Sequence, residues 1–310
     1  MSSAFTEGPP MPEVAGMPGI RHRRVDVGDG VALHVAEAGR EDAPGGTVVL
    51  VHGFPQHWYA WRRVIPQLAV DHRVLCLDLR GFGWSDTPAA GYDTDTRAAD
   101  ILAVMDALGV GKARLIAHEF GAWTAFMLCL RAPERVTHLL ALNAVHPWPL
   151  HRRAVPQAWR YWYTSPLEVP LLGRYVLRSV PSLTRYLLRK GIVDPAARDA
   201  AAMAEFTRSS AEPRRARAGE AMHRAYALRD IRGLVLGSYR KLRLSTPTHI
   251  LAGERDFVLP PSVMPGYERH ADDLTVEVVP GCGHFVHEER PEVVLRAAYE
   301  LFSRGGRPPR

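Results

Sequence analysis

The stretch 115-LIAHEFGAWTAF-126 decides how the rest of the chain reads. An apolar run ends in Ala117-His118-Glu119-Phe120-Gly121, and an apolar helical pattern follows at once. Small residues flanking a central polar one permit a strained strand-to-helix turn that lifts the central side chain above a sheet. Glu119 is that residue. Taken alone, the same letters also describe an acid at a helix N-terminus, where the helix dipole favours negative charge. The surrounding sequence has to choose.

Similar runs lie on both sides: 47-TVVLV-51, 73-RVLCLDL-79, 113-ARLIA-117, 136-VTHLLAL-142, 247-PTHILAG-253 and 274-LTVEVVP-280. They are short and mostly apolar, as expected of strands buried on both faces of a parallel sheet. Helical patterns separate most of them, for example 96-TRAADILAVMDALGV-110 and 121-GAWTAFMLCLRAP-133. This alternation predicts an α/β fold with a mostly parallel, doubly wound sheet. Upstream, two alternating runs in 23-RRVDVGDGVALHVAEAG-39 predict a β-hairpin around Gly28-Asp29-Gly30. After Leu142 the strand signal stops until Thr246, and the intervening sequence has helical spacing with many aromatics and arginines. The expected division is a core at 23–145 and 245–304, an inserted helical cap at 146–244 over the strand C-termini, and flexible tails at 1–22 and 305–310.

With 46% hydrophobic residues in 310, the chain can bury a sizeable core. Its formal charge of +6 includes Arg21, Arg23, Arg24 and the 213-PRRARAGE-220 run, but no aromatic-basic recognition motif accompanies them. A solvated basic surface is expected, not a nucleic-acid interface. Cys76, Cys129 and Cys282 are odd in number and widely spaced, so reduced thiols and a cytoplasmic location are expected. The first twenty residues lack the apolar stretch of a secretory signal, and no segment reaches the roughly 18 apolar residues of a membrane span.

Three further segments choose the role of Glu119. The string 50-LVHGFPQHWYAWR-62 follows the 47–51 run, and a loop of the form HG-x-P there can offer the Phe54 N–H beside that of Phe120 as an oxyanion hole. In 252-AGERDFVLPP-261, Asp256 follows the next-to-last strand; in 280-PGCGHFVHEERPEVV-294, His284 follows the last. Nucleophile, acid, histidine is a known chain order for a hydrolytic triad. His284 and His287 are three apart on a loop without a third ligand, so no metal is expected. The glycines of 80-RGFGWSD-86 lack the spacing of a phosphate loop.

The motifs HGFPQHWYAWR, DLRGFGWSD, AHEFGAW, GERDFVLPP and GCGHFVHEERPE resemble, in order, those of epoxide hydrolases within the α/β-hydrolase superfamily, over most of residues 25 to 304. The resemblance implies an α/β-hydrolase fold and a cofactor-free hydrolase acting on a small apolar epoxide and water. In that family an aspartate at the elbow attacks an epoxide carbon, and a histidine-activated water cleaves the resulting ester. Two cap tyrosines hold the epoxide oxygen. Here 162-WYTSPLE-168 and 238-SYRKL-242 resemble the tyrosine segments and point to Tyr163 and Tyr239. Trp148, Trp159 and Trp162 are expected along an apolar substrate pocket with His52, whose place in the HGFP loop reads as structural, and His118 is expected to orient the elbow. A homodimer is compatible with this reading.

The chain departs from the family pattern in three places: Glu119 stands for aspartate, Phe120 for tryptophan and Ala117 for glycine. The added methylene moves the carboxylate by roughly one C–C bond length, and misplacement by about 1 Å can cost on the order of a hundredfold in rate. Glu119 is therefore either a nucleophile in a compensating pocket or a general base on water. A haloalkane dehalogenase is an alternative reading, against which Phe120 counts because it has no indole N–H for a halide. A non-catalytic or repurposed binding protein is another, against which the intact His284 and Asp256 count.

Overall fold

The structure, a computed structural model, describes residues 11–14 and 19–304. Eight strands form one sheet: β1 (Arg21–Asp26), β2 (Ala32–Ala38), β3 (Thr47–Val51), β4 (Arg73–Leu77), β5 (Ala113–His118), β6 (Val136–Leu142), β7 (Thr248–Gly253) and β8 (Leu274–Val279), in the order β1-β2-β4-β3-β5-β6-β7-β8. β2 runs antiparallel to both neighbours and the pairs from β4 to β8 are parallel. The chain thus has the α/β-hydrolase fold, and each apolar run coincides with a strand to within two residues. The central strands β3 and β4 are buried almost throughout, which is why they read as continuous apolar runs.

Helices α1 (Ile65–Leu68), α2 (Thr94–Ala107) and α3 (Phe120–Arg131) follow β3, β4 and β5. Asp93 caps α2 by accepting from the Thr96 N–H. Between β6 and β7 every regular element among the described residues is helical: α4 (His151–Ala154), α5 (Ser165–Glu168), α6 (Leu172–Ser179), α7 (Pro181–Gly191), α8 (Ala200–Ala211), α9 (Pro213–Ala225) and α10 (Arg232–Leu236), with a π-helical turn at Tyr226–Ile231 joining the last two. The chain ends in α11 (Val286–Glu289) and α12 (Pro291–Ser303). One apolar cluster joins α2, α3 and the helical segment to one face of the sheet, and a second packs α1 and α12 on the other.

The tail expected at 1–22 is placed only in part. Val14 is buried in the second cluster, Met11 and Ile20 pack against it, and β1 already begins at Arg21. The rest of that stretch, residues 1–10 and 15–18, and the expected tail at 305–310 lie outside the described residues. Cys76, Cys129 and Cys282 are free and buried, and no helix among the described residues is long and apolar enough to cross a membrane.

The strand order fixes where a site can form. β3 lies between β4 and β5, so the chain winds outward in both directions from it, and a crevice opens at the C-terminal ends of β3 and β5. The loop after β3 is tied down from below by Asp78 at the end of β4. Its carboxylate accepts from the N–H groups of Trp58 (2.6 Å) and Trp84 (2.9 Å) and pairs with His34 Nδ1 (2.7 Å). Burial alone would raise the Asp78 pKa, but His34 and the nearby His57 and His52 outweigh it and hold the group at about 2. Gly83 (φ 51°) lies so close that a Cβ there would stand 2.0 Å from the Asp78 carboxylate, which accounts for the tight 80-RGFGWSD-86 turn.

Candidate active site

Glu119 sits between β5 and α3 with φ 50° and ψ −114°, a strained backbone for a residue with a side chain. Its N–H donates to the Leu142 carbonyl (3.1 Å) and its carbonyl accepts from the Trp123 N–H (2.9 Å), so sheet and helix hold the turn from both ends. A Cβ on Gly121 would lie 2.5 Å from the carbonyl oxygens of Val51 and His52, so the turn needs glycine there. On the facing loop, a Cβ on Gly53 would lie 2.7 Å from both Cβ and Oε2 of Glu119. The missing side chain of Gly53 makes room for the longer acid.

The carboxylate fills that room. Glu119 Oε2 accepts from the Phe54 N–H at 2.8 Å and the carboxylate also receives the Phe120 N–H. The two amides expected to form an oxyanion hole hold the acid itself. Burial raises the Glu119 pKa to about 7, against the lowering effects of His284, the two amides and Arg97.

His284, on the loop between β8 and α11, shares a cavity with Glu119. Its Nδ1 lies 2.9 Å from Asp256 Oδ2, its N–H donates to the Gly191 carbonyl (2.8 Å), and His118 Nε2 bonds its carbonyl (2.9 Å). Burial alone would lower the His284 pKa, but Asp256 and Glu119 outweigh it and hold it above the ordinary value. Asp256, in the loop after β7, accepts from the N–H groups of Val258 (2.7 Å) and Leu259 (3.0 Å) at Oδ1 and from Asn143 Nδ2 (3.0 Å) at Oδ2. The three residues placed by sequence thus meet at the C-terminal edge of the sheet. Asn143, with φ 46° just beyond β6, was not legible because a lone polar residue after a strand carries no pattern.

The cavity encloses about 360 Å³ and is largely apolar. Phe54, Phe120, Trp123, Phe257 and Phe285 line it from the core side, and Tyr161, Tyr163, His223 and Tyr226 from the helical segment. Burial pushes the phenol pKa values of Tyr161, Tyr163 and Tyr226 upward, and nearby carboxylates, Glu119 among them, add to it.

Several residues expected at this cavity lie elsewhere. The Tyr239 hydroxyl faces Asp230 at 3.5 Å, and its ring packs edge-on against Trp123. Ile231, at the end of the π-helical turn, and Leu234 and Val235 of α10 line the cavity while Gly233 lies against Tyr239, so the cavity is lined instead by Tyr226, at the start of the π-helical turn and edge-on to Phe120 at 5.0 Å. Irregular helical turns of this kind often occur at functional positions. Trp148 is buried outside the cavity, its Nε1 donating to the Tyr239 carbonyl (2.8 Å) and its ring stacked on His270. Trp159 and Trp162 are exposed. His52 does not line the cavity either: its Nδ1 bonds the Gly53 carbonyl (2.9 Å) and its Nε2 accepts from the Leu79 N–H (3.0 Å), which ties the HGFP loop to the turn after β4.

Beneath Phe120 lies the fully buried Arg97. Nη2 donates to Thr94 Oγ1 (2.9 Å), and the guanidinium stands 5.7 Å from the centre of the Phe120 ring. Among the described residues, no group of three or more His, Cys, Asp or Glu is arranged to hold a metal ion.

The alpha/beta hydrolase fold family matches residues 46–291. The chain is 27% identical to the soluble epoxide hydrolase of Corynebacterium sp. (strain C12) over 300 residues, 92% of this chain and 98% of that one. It is 34% identical to a fluoroacetate dehalogenase of Burkholderia sp. over 153 residues, 47% of this chain and 49% of that one. Among solved structures, Cfl2 from Burkholderia cenocepacia superposes with a TM-score of 0.80 at 32% identity, covering 95% of this chain and all of that one. With its fold, its elbow and a family match over most of its length, the chain belongs to the alpha/beta hydrolase fold family.

Proposed function

We propose that the protein hydrolyses an apolar epoxide to a vicinal diol through an ester on Glu119, with the helices between β6 and β7 as the cap. The observation that carries this reading is the grip of the Phe54 and Phe120 amides on the Glu119 carboxylate, with the Phe54 N–H on Oε2. With Oε2 held there, Oε1 is left to attack a ring carbon. The C–O bond breaks, and the departing oxygen takes a proton from a cavity phenol, Tyr163 or Tyr226. Their raised pKa values keep both protonated at neutral pH.

Oε2 is then the ester carbonyl oxygen, already held by the Phe54 N–H, with the Phe120 N–H also on the carboxyl group. Water gives one proton to His284 Nε2 and its oxygen to the Glu119 carbonyl carbon, and the same amides stabilise the resulting oxyanion. Collapse breaks the bond to Oε1, which leaves in the diol and takes the proton from His284. The proton remaining on the carboxyl group returns to the tyrosine. Electrostatics favour this order: the Glu119 charge helps to raise the His284 pKa, and esterification removes that charge. His284 is then held more fully in the neutral form that can take a proton from water. Similarity to proteins named epoxide hydrolases supports the substrate class, and the phenylalanine beside Glu119 still counts against a halide-releasing reaction.

Diol formation from a panel of aryl and alkyl epoxides, with Glu119→Gln as control, tests the reading. It fails if the parent makes no diol above the control. Tyr163→Phe and Tyr226→Phe should each slow ring opening by about a hundredfold or more, and Tyr239→Phe should stay within about twofold. The reverse ranking of Tyr226 and Tyr239 would discard the assignment of the second proton donor. Arg97→Met should shift the acid limb of kcat/KM upward by on the order of one pH unit, because the Arg97 charge favours ionised Glu119. An unmoved limb would show that the buried guanidinium serves packing alone.

A further inference from the structure

Charge is divided unevenly along this chain. Residues 146–244 carry 19 Arg and Lys against seven Asp and Glu, a net +12, whereas the rest of the chain is −6. The outer part of the cavity is walled by α4 with the turn after it and by the π-helical turn with α10, through Ala154, Val155, Ala158, Ile231 and Val235. His151 Nε2 bonds the Leu234 carbonyl (3.2 Å) across the two walls. Around this rim Val155 is 68% exposed and Val235 64%, with Trp159 and Leu236 each at 67% on the same elements. Single exposed apolar side chains are ordinary. A group of them at the rim of an apolar cavity marks an interaction surface.

The charges on the same elements have one sign. Over 151–164 and 228–243 every formally charged side chain is basic except Asp230, which is buried and accepts from Thr94 Oγ1 at 2.7 Å. Arg152, Arg153, Arg232, Arg240 and Lys241 are exposed. A second copy docked through this face would set like charge against like charge. We propose that the face docks on an anionic lipid bilayer, with Trp159, Leu236 and the rim valines in the interface and the basic side chains against the headgroups. The cavity would then open into the lipid. Resting on the epoxide reading, this lets an apolar substrate dissolved in the bilayer reach Glu119 without crossing water.

Co-sedimentation of the full chain with vesicles tests the docking. Vesicles of phosphatidylcholine with roughly one third phosphatidylglycerol should bind it at low salt, and pure phosphatidylcholine vesicles or high salt should weaken binding at least about tenfold. Arg152→Glu with Arg153→Glu and Arg232→Glu should lower partition by at least about tenfold. Trp159→Ser with Leu236→Ser should weaken it severalfold at unchanged charge. Melting temperature and turnover of a water-soluble epoxide should stay the same in both variants, since these side chains lie outside the cavity. The proposal is overturned by absent binding to anionic vesicles at low salt, by binding indifferent to either variant, or by self-association or capture of acidic proteins in place of vesicle binding. Vesicle binding without epoxide turnover would leave the docking standing and remove only the proposed chemistry.

Discussion

His284→Gln is expected to stop the protein after a single chemical event, with an ester left on Glu119 and steady-state diol production reduced by about a thousandfold or more. The expectation follows from the division of labour at the site. Attack needs Glu119, whose carboxylate is oriented by the Phe54 and Phe120 amides and not by the imidazole. In the proposed route hydrolysis needs a base, and His284 is the cavity imidazole backed by a carboxylate, Asp256 at 2.9 Å. Incubation with epoxide followed by peptide mass analysis should find the epoxide's mass added to the peptide bearing Glu119. Unmodified peptide, together with undiminished diol, would sink the two-step route.

Glu119→Gln should abolish turnover, by about ten-thousandfold or more, since an amide neither attacks the ring nor serves as a base. It should also stabilise the fold, with a pH dependence whose sign is fixed. The Glu119 pKa rises from 4.5 in the free side chain to about 7 in the folded protein. Below 4.5 both states hold the proton and the parent carries no penalty. Between 4.5 and 7 the unfolded chain releases the proton and the folded one keeps it, so parent stability falls across that window and stays lower above it. The glutamine variant is free of this term. Its advantage should be near zero at about pH 4 and reach on the order of 1–3 kcal/mol at about pH 8, allowing for the solvent that reaches Glu119 from the cavity. Denaturant unfolding at the two pH values measures it. An equal or lower stability of the variant at pH 8 would mean that the carboxylate is not strained by burial.

The core of this design was open to reading from sequence because parallel strands buried on both faces leave continuous apolar runs, and because Glu119, Asp256 and His284 fall within the first five residues after β5, β7 and β8. The second phenol was not. In an aromatic-rich helical segment many tyrosines have suitable neighbours, and only the backbone path decides which face meets the cavity. The π-helical turn at Tyr226–Ile231 places Tyr226 there, whereas Tyr239 packs against Trp123. The tryptophans misled for a related reason: large apolar side chains suggested a pocket wall, yet Trp159 and Trp162 are exposed and Trp148 is buried beside His270. Room for the longer acid was equally hidden, since it depends on the missing Cβ of Gly53, 66 positions before Glu119 in the chain but directly across the turn.

The most direct test of Glu119 as nucleophile is a single turnover with excess protein in oxygen-18 water. The ester route breaks the bond between the carboxyl carbon and Oε1, so the first diol carries ordinary oxygen from the protein and the heavy oxygen enters the Glu119 carboxylate. Peptide mass analysis should then find the label on the Glu119 peptide, and the diol should become labelled only in later turnovers. Heavy oxygen in the first diol with an unlabelled Glu119 peptide would contradict the ester and leave Glu119 as a base acting on water.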